Sequence, residues 1–577
     1  MGAKAVVRSN SSSYDTLIVS AYTGSTLTFT TSTHNMGNDP WGFFLCGKLS
    51  ELDAAGEWFY DTATQQLYLW APTGGDPGSL SVEASVYWAG VLNAWQRHDQ
   101  RFEHLSFKHQ RNAGVRNDGA DHITVTACTF TRLYHGIRSY GSYNTYSGNT
   151  FESTYATGAL LIDNNTTFAN NTLTDIALIP GEGESSWGYF GVRAIGTGNI
   201  VRGNRLNNIG YTGLEVNNNA LVEKNVITHT LATLNDGGGI AFDNADGLVV
   251  QDNLVMDLIG NFDGSATNTP HNVRMANGIY FGNTSIRNTT VQRNTVAHVP
   301  GGGINVDHTM TSSGYQVKDN VLFDNDIQLI VSDYSNYNGA GATAPFYMAN
   351  FNDVYSGNVM YCLTKDQLAM KHFNCYSASA TDFGTFANNK YFNPFNELSI
   401  LVHNIFSGGP KYFSLERWRA VRNEDLTGSS RSPLRENAYA VTNVQGSELV
   451  DNGQFDYNVS GWGGWPTNAQ VTHDYAHLDN GALKAYLPNN SVYPEFALRN
   501  PDAFDMQTGQ WYRLRFSIES DVPGEVRVGA KGLSQLNNGN MIIDRAYTFD
   551  SERRDMEMIF QSSATDDALV QFTNKYT

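Results

Sequence analysis

The sequence predicts an all-β protein with a β-solenoid at its centre, and three observations carry that prediction. The 577 residues include 58 Asn and 55 Gly, both poor helix formers. A short phrase centred on Asn recurs through the middle of the chain, at spacings of 21 or 22 residues where it is shortest. A second phrase, Gly-apolar-any-apolar, alternates with it and has the period-two pattern of a short strand buried on one face. A repeat of this length cannot bury its own apolar face, whereas stacked coils can.

Residues 1–95 alternate apolar and polar positions, as in LTFTTST and QLYLWAP, without the Asn phrase, and are expected to form a small β-sandwich. Residues 96–405 carry the repeat. Its Asn slots are Asn149, Asn171, Asn204, Asn225, Asn253, Asn294, Asn320, Asn358 and Asn389, with Cys128 in the same slot one turn earlier. Stacked coils bring like positions to about 4.8 Å, so these amides should form a hydrogen-bonded ladder inside the solenoid. Residues 406–446 are a connecting segment. ELVDNGQFDYNVSGWGGW at 448–465 then opens a second set of short strands over 447–577 and resembles the start of a jelly-roll carbohydrate-binding module. Trp462, Trp465, Tyr475, Tyr493 and Trp511 are its candidate sugar-stacking platforms, against the plainer reading as sandwich core. Met1-Gly2-Ala3-Lys4 reads as an internal start, and QFTNKYT as stopping a strand or two early.

Charge narrows the partners. Lys and Arg number 37 against 56 Asp and Glu, a formal charge of 37 − 56 = −19, and no Lys/Arg block interrupts this. Nucleic acid and anionic membrane surfaces are therefore poor partners. No stretch approaches the roughly 18 apolar residues of a membrane span, and no basic-then-apolar leader opens the chain. The four cysteines are not a disulfide framework; Cys362 and Cys375 are the pair that would close in an oxidising compartment, the alternative being four free thiols.

The Asn ladder and the Gly-Ile-any-apolar phrases resemble right-handed parallel β-helix proteins of the carbohydrate-active kind. GEWFYDTATQQLYLWAP at 56–72 is similar to a segment common in multidomain members, and SLERWRAVRNEDLTGSS at 414–430 to the stretch that follows their last coil. The resemblance spans roughly residues 1–430. It implies a secreted β-helix enzyme acting on carbohydrate, with no cofactor apart from room for a structural Ca²⁺. The oligomeric state is not legible.

The strand phrases also locate the chemistry. Gly+1 and Gly+3 are apolar and point inward, so Gly+2 and Gly+4 point outward. The Gly+2 column reads Arg116, Arg138, Leu160, Arg193, Glu215, Ala241, Tyr280, Asn305. The Gly+4 column reads Asp118, Tyr140, Ile162, Ile195, Asn217, Asp243, Gly282, Asp307. Insertions at 176–190, 230–238 and 257–277 all leave one corner of the stack beside this face. They bring Glu182, Glu184, Trp187, Tyr189, Asp236, Phe262, Asp263, His271 and Arg274. Loops grown on one side of a solenoid build its binding wall.

Glycoside hydrolysis needs two carboxyl groups flanking the bond. NDGGGIAFDN at 235–244 puts Asp236 at a loop-to-strand junction and Asp243 at the far end, with bare glycines between. β-helix lacto-N-biosidases, β-xylosidases and α-L-fucosidases carry a similar acid- and glycine-rich segment, and in the first the catalytic acids share this spacing of seven. The chain departs from many such relatives at Gly282, where they often carry Asp. The paired-Asp and Gly-His-Gly signatures of polygalacturonases are missing, which argues against pectin hydrolysis.

The leading expectation is thus a glycoside hydrolase with Asp243 as nucleophile or base, Asp236 as acid, and Glu215 and Asp307 as partner carboxylates. Arg193, Asn217, Tyr280, Asn305, His308, Trp187 and His271 would bind substrate. A polysaccharide lyase on the same fold is the alternative. It must neutralise a uronate and abstract a proton, for which Arg116, Arg138 and Arg193 share a column. A non-catalytic glycan-binding surface protein is the third reading.

Overall fold

A computed structural model describes residues 2–29, 34, 41–242, 244–261, 275–282, 284–309, 312–333, 351–374, 382–404, 409–433, 441–465, 470–486, 496–534 and 541–573. Two compact units divide the chain: residues 1–410 with 423–433, and residues 411–422 with 434–577.

The first unit is a right-handed parallel β-helix. Its strands lie in sheets of 13, 11 and 12 strands, each coil adding one strand to each sheet. The largest sheet runs in parallel register from Ala89–Asn93 to Ile400–Asn404. The helix therefore begins at Ala89, earlier than the expected residue 96.

The Asn ladder forms as the repeat predicts. From Asn149 to Asn358, each side-chain Nδ2 and backbone N donate to Oδ1 of the next Asn in the column, at 2.9–3.2 Å. Each Nδ2 also donates to a main-chain carbonyl of an earlier coil, as Asn204 does to Phe168 O at 3.0 Å. The amide is thus fully used in a place without water, and for that reason the slot tolerates Asn and little else. Cys128 N starts the ladder on Asn149 Oδ1, and Asp425 and Ser429 close it on Asn389.

The Gly column has its own cause. A Cβ at Gly136 would lie 2.2 Å from the Phe151 ring, at Gly239 2.4 Å from Val255, and at Gly278 2.2 Å from Val296. Interior side chains of the 12-stranded sheet fill that corner, among them the stacked rings of Phe107, Phe130 and Phe151.

At the N-terminus, Thr26–Phe29, Ser13–Thr23, Lys4–Asn10 and Phe43–Cys46 form one antiparallel sheet in that order. Trp58–Asp61 and Gln66–Leu69 pair with each other alone. Among the described residues, the expected sandwich region thus holds a four-stranded sheet and a separate two-stranded one. One face of the four-stranded sheet buries Ala3, Ala5, Val7, Leu17 and Val19. The other, carrying Val6 and Arg8, is buried against loops of the β-helix.

The second unit is built of antiparallel sheets. Asp566–Thr573 and Gly524–Gly532 pair at its centre, with Ala497–Arg499 and Ile543–Phe549 outside them. The Trp511–Ile518/Arg554–Gln561 pair faces a core of Met506, Ala530, Met558, Phe560 and Ala568. The α-helix Leu415–Arg422, which falls in the expected connecting segment, belongs to this unit and bonds to it through Ser414 Oγ and Glu525 at 2.7 Å. Of the candidate platforms, Tyr475 and Trp511 are exposed, while Trp462 packs on Phe455 and Phe572. The side chain of Trp465 and all of Tyr493 lie outside the described residues. Cys362 is a buried unpaired thiol that accepts from Gln328 Nε2 at 3.7 Å, and burial pushes it up to about 12. Cys375 lies outside the described residues.

Candidate active site

The outward column holds in register. Arg116, Arg138, Leu160, Arg193, Glu215, Ala241, Tyr280 and Asn305 follow one another directly across the 13-stranded sheet, with Ile330 and Lys371 continuing the line. Adjacent strands are about 4.8 Å apart, so neighbours in the column can touch.

Two of them do. Arg193 Nε lies 2.5 Å from Glu215 Oε2, an ion pair whose partners are 18% and 8% exposed. The 176–190 insertion closes over it. Trp187 and Phe190 stack on the guanidinium at 4.4 and 5.3 Å, with their own rings edge to face at 5.6 Å. A guanidinium held by a carboxylate below and an indole above has little freedom left.

The same insertion brings Glu184 within reach of the Arg193 charge. Its carboxyl hydrogen-bonds the Thr157 hydroxyl, and Oε2 lies 3.6 Å from His135 Nδ1. That nitrogen donates instead to Thr157 O at 2.8 Å, which leaves Oε2 without a hydrogen-bond partner among the described residues. Burial lowers His135 to about 4, so the ring next to Glu184 is neutral at pH 7. Burial also raises Glu184, from 4.5 to about 7, against the weaker downward pull of Thr157, Arg193 and Arg138. The side chain keeps 13% of its surface open.

Asp236 sits nearby at the start of strand Gly237–Phe242, in the left-handed region at φ 63°. Its Oδ2 accepts from Ser11 Oγ at 3.4 Å, and its backbone carbonyl accepts from Tyr211 OH at 2.5 Å. Burial pushes its carboxyl up to about 6. The charges of both Asp236 and Glu215 act on the Tyr211 phenol, so the three groups share one neighbourhood. Asp236, Glu184 and Tyr211 are each half-buried.

Other predicted residues fall differently. Tyr280, Asn217 and Asn305 face outward and are half-buried, and the Oδ1 atoms of the two amides have no partner among the described residues. Asp307 is 4% exposed, accepts from His308 N at 2.9 Å, and lies three coils beyond the Glu215 coil. It does not join the Arg193–Glu215 cluster. His308 is not a groove residue: fully buried, it packs on Tyr315, Phe351 and Phe383, with Nδ1 2.7 Å from Ser332 O and Nε2 2.7 Å from Asp353. The strand ends at Asp307, and the next side chain turns into the core. Asp243 and His271 lie outside the described residues.

Sequence reading passed over His135, Thr157, Tyr211 and Ser11. The first two stand one residue before each Gly, a buried line continued by Phe190 and Thr212, which strict alternation groups with the inward Gly+1 residues. Alternation therefore hides them from a search for outward residues, and nothing in the sequence ties Ser11 to residue 236.

A family model described as a right handed beta helix region matches residues 184–343. A search of curated proteins finds no match. Among solved structures, the mannuronan C-5 epimerase AlgE4 A-module of Azotobacter vinelandii aligns at 14% identity over 51% of this chain and 85% of its own, with a TM-score of 0.32. The tailspike protein of E. coli bacteriophage HK620, solved with a pentasaccharide, aligns at 13% identity over 87% of this chain and 76% of its own, with a TM-score of 0.29. A structure titled "CBM4 structure and function" aligns at 15% identity over 22% of this chain and 86% of its own, with a TM-score of 0.18. Likeness at this level carries no activity to this chain.

Proposed function

We propose that the protein is an extracellular glycoside hydrolase whose reacting groups are Glu184 and Glu215. The observation that carries this is the unequal state of two carboxyl groups around one guanidinium. Glu215 is ion-paired with Arg193 at 2.5 Å, and Glu184 is raised by burial to about 7. One group that holds a proton near neutrality and one that stands as a carboxylate are what protonation of a leaving oxygen and attack at the anomeric carbon require. Trp187 offers an indole edge to a sugar ring, while Asn217, Tyr280 and Asn305 offer amide and phenol groups to its hydroxyls. Asp243, in the Gly+4 position of the sequence repeat, stays a further candidate carboxylate. No step in this scheme draws on a cofactor.

One observation favours the lyase alternative. Arg138, in the same column, has no hydrogen bond or ion pair among the described residues and is available to a uronate carboxylate. The two readings separate in one assay on a panel of neutral and uronate-containing oligosaccharides. Hydrolysis yields new reducing ends without absorbance near 235 nm, and is lost in both Glu184→Gln and Glu215→Gln. A 235 nm product that survives Glu184→Gln and is lost in Arg138→Ala would replace the hydrolase with the lyase.

A further inference from the structure

The N-terminal sheet reaches the site. Strands Lys4–Asn10 and Ser13–Thr23 turn at Ser11–Ser12, and the turn lies against the loops that wall the groove. Tyr14 N donates to Ser186 O at 2.8 Å, and Asn235 N donates to Ser11 O at 2.9 Å. The Arg8 guanidinium, 3% exposed, donates to Asn261 Oδ1 at 2.9 Å, to Asn261 O at 2.8 Å and to Ser11 O at 3.1 Å. Val6 packs so closely on Gly181 that a Cβ there would lie 2.9 Å from both valine methyls. The turn is therefore fixed from three insertions at once.

What it presents is polar. Ser11 Oγ reaches Asp236, and Ser12 lies beside the Tyr211 phenol, which donates to the Asp236 carbonyl. Asn10 Oδ1 accepts from Ser12 N at 2.9 Å and Ser12 Oγ at 3.2 Å, which sets the direction of the turn. Both serines are half-buried. A turn that served only to pack would bring apolar side chains to this seam. Two hydroxyls, a phenol and a carboxyl meet there instead, group types that pair with a sugar's ring hydroxyls.

We propose that Ser11 and Ser12 belong to the substrate site and bind ring hydroxyls of the glycosyl unit whose bond lies at Glu184 and Glu215. This inference rests on the hydrolase reading above. It assigns the N-terminal sheet to the site wall and makes its hairpin turn a determinant of which sugar is held.

Two measurements on the full chain test it. Hydrogen exchange on Glu184→Gln is followed with and without a saturating mixture of xylo-, galacto- and fuco-oligosaccharides. Protection of residues 6–16 together with 211–217 supports the proposal, and protection of 211–217 without 6–16 overturns it. In the Ser11→Ala/Ser12→Ala double variant, loss of about one net hydrogen bond per serine should raise KM about tenfold for the hydrolysed oligosaccharide, with kcat within about threefold. Ser9→Ala, in the same hairpin but facing Ser13 O, should leave KM unchanged. Equal KM in the double variant and Ser9→Ala overturns the proposal while Glu184→Gln still reports on the hydrolase reading. If the oligosaccharides protect neither segment and wild type turns none of them over, the hydrolase reading falls and this inference falls with it.

Discussion

Replacing Glu184 with Gln should abolish turnover and, at neutral pH, stabilise the fold. The carboxyl is raised from its ordinary 4.5 to about 7, with burial the largest cause. Below pH 4.5 the group is protonated in both the folded and unfolded chain and costs nothing. Between 4.5 and 7 the unfolded chain releases the proton and the folded chain keeps it, so stability falls as pH rises. Above 7 the loss levels off at about 3 kcal/mol, taking 1.36 kcal/mol per pKa unit. Gln cannot ionise and keeps a carbonyl for the Thr157 hydroxyl, so the variant escapes this loss. Its stability advantage over wild type should therefore be near zero at pH 4.5 and grow to at most about 3 kcal/mol by pH 8. Turnover should fall by about 10²–10⁴-fold, the range for a lost general acid. Wild-type activity should also decline above pH 7 as Glu184 loses its proton. Urea unfolding at pH 4.5, 6 and 8, together with initial rates on the best oligosaccharide, measures both effects. A stability difference that does not change with pH would refute the burial argument. A variant with wild-type rates would remove Glu184 from the chemistry.

Further outcomes follow from the same geometry. Asn225→Ala deprives Asn204 N and Nδ2 of their acceptor and leaves Asn253 Oδ1 without two donors; at about 1–3 kcal/mol per orphaned buried group, denaturant unfolding should show a loss above about 3 kcal/mol. His308→Ala strips the fully buried Asp353 of its 2.7 Å partner and should cost about 3–5 kcal/mol in the same experiment, while kcat and KM of the folded fraction stay at wild-type values. Asp236→Asn should remove a pH-dependent loss of stability between about pH 4 and 6, since burial raises that carboxyl to about 6, and urea midpoints across that range would reveal it. Native thiol titration should leave Cys128 and Cys362 unlabelled, because both are buried; rapid labelling of either would contradict their placement.

How far the sequence could be read depended on whether a residue's position is set by its own coil or by a distant segment. The Asn slots were legible because one side chain meets one unvarying demand, two donors in and one carbonyl out, at every turn. The outward column was legible because alternation within a five-residue strand leaves no choice of face. The same rule failed at His308, one residue past the strand end, where the pleat no longer dictates direction and a cluster of Tyr315, Phe351 and Phe383 draws the ring inward. In the N-terminal region the uninterrupted run Ala5-Val6-Val7 already announced a strand buried on both faces, which a sheet with one solvent face does not need. Its second face is the β-helix wall.

The site itself shows why carboxylates are harder to rank than to locate. Glu182, Glu184, Asp236 and Asp263 all look alike as loop acids, and the pair at 236 and 243 stood out for the bare glycines between them and for its likeness in spacing to the acids of lacto-N-biosidases. At about 3.3 Å per residue, Gly237–Phe242 covers about 17 Å from first Cα to last, so acids at its two ends can meet only where a loop folds back. Groups that must act on one bond have to come from neighbouring coils or from an insertion folded back over them, as Glu215 and Glu184 do around Arg193. Which loop acid folds back is decided by what covers it. Glu184 is packed by its own insertion, where Gly188 lies against its side chain, and Asp236 is met by a hairpin turn from 225 residues away. Burial by those covers raises both carboxyls, so the property that suits an acid to proton transfer comes from contacts that the repeat does not encode.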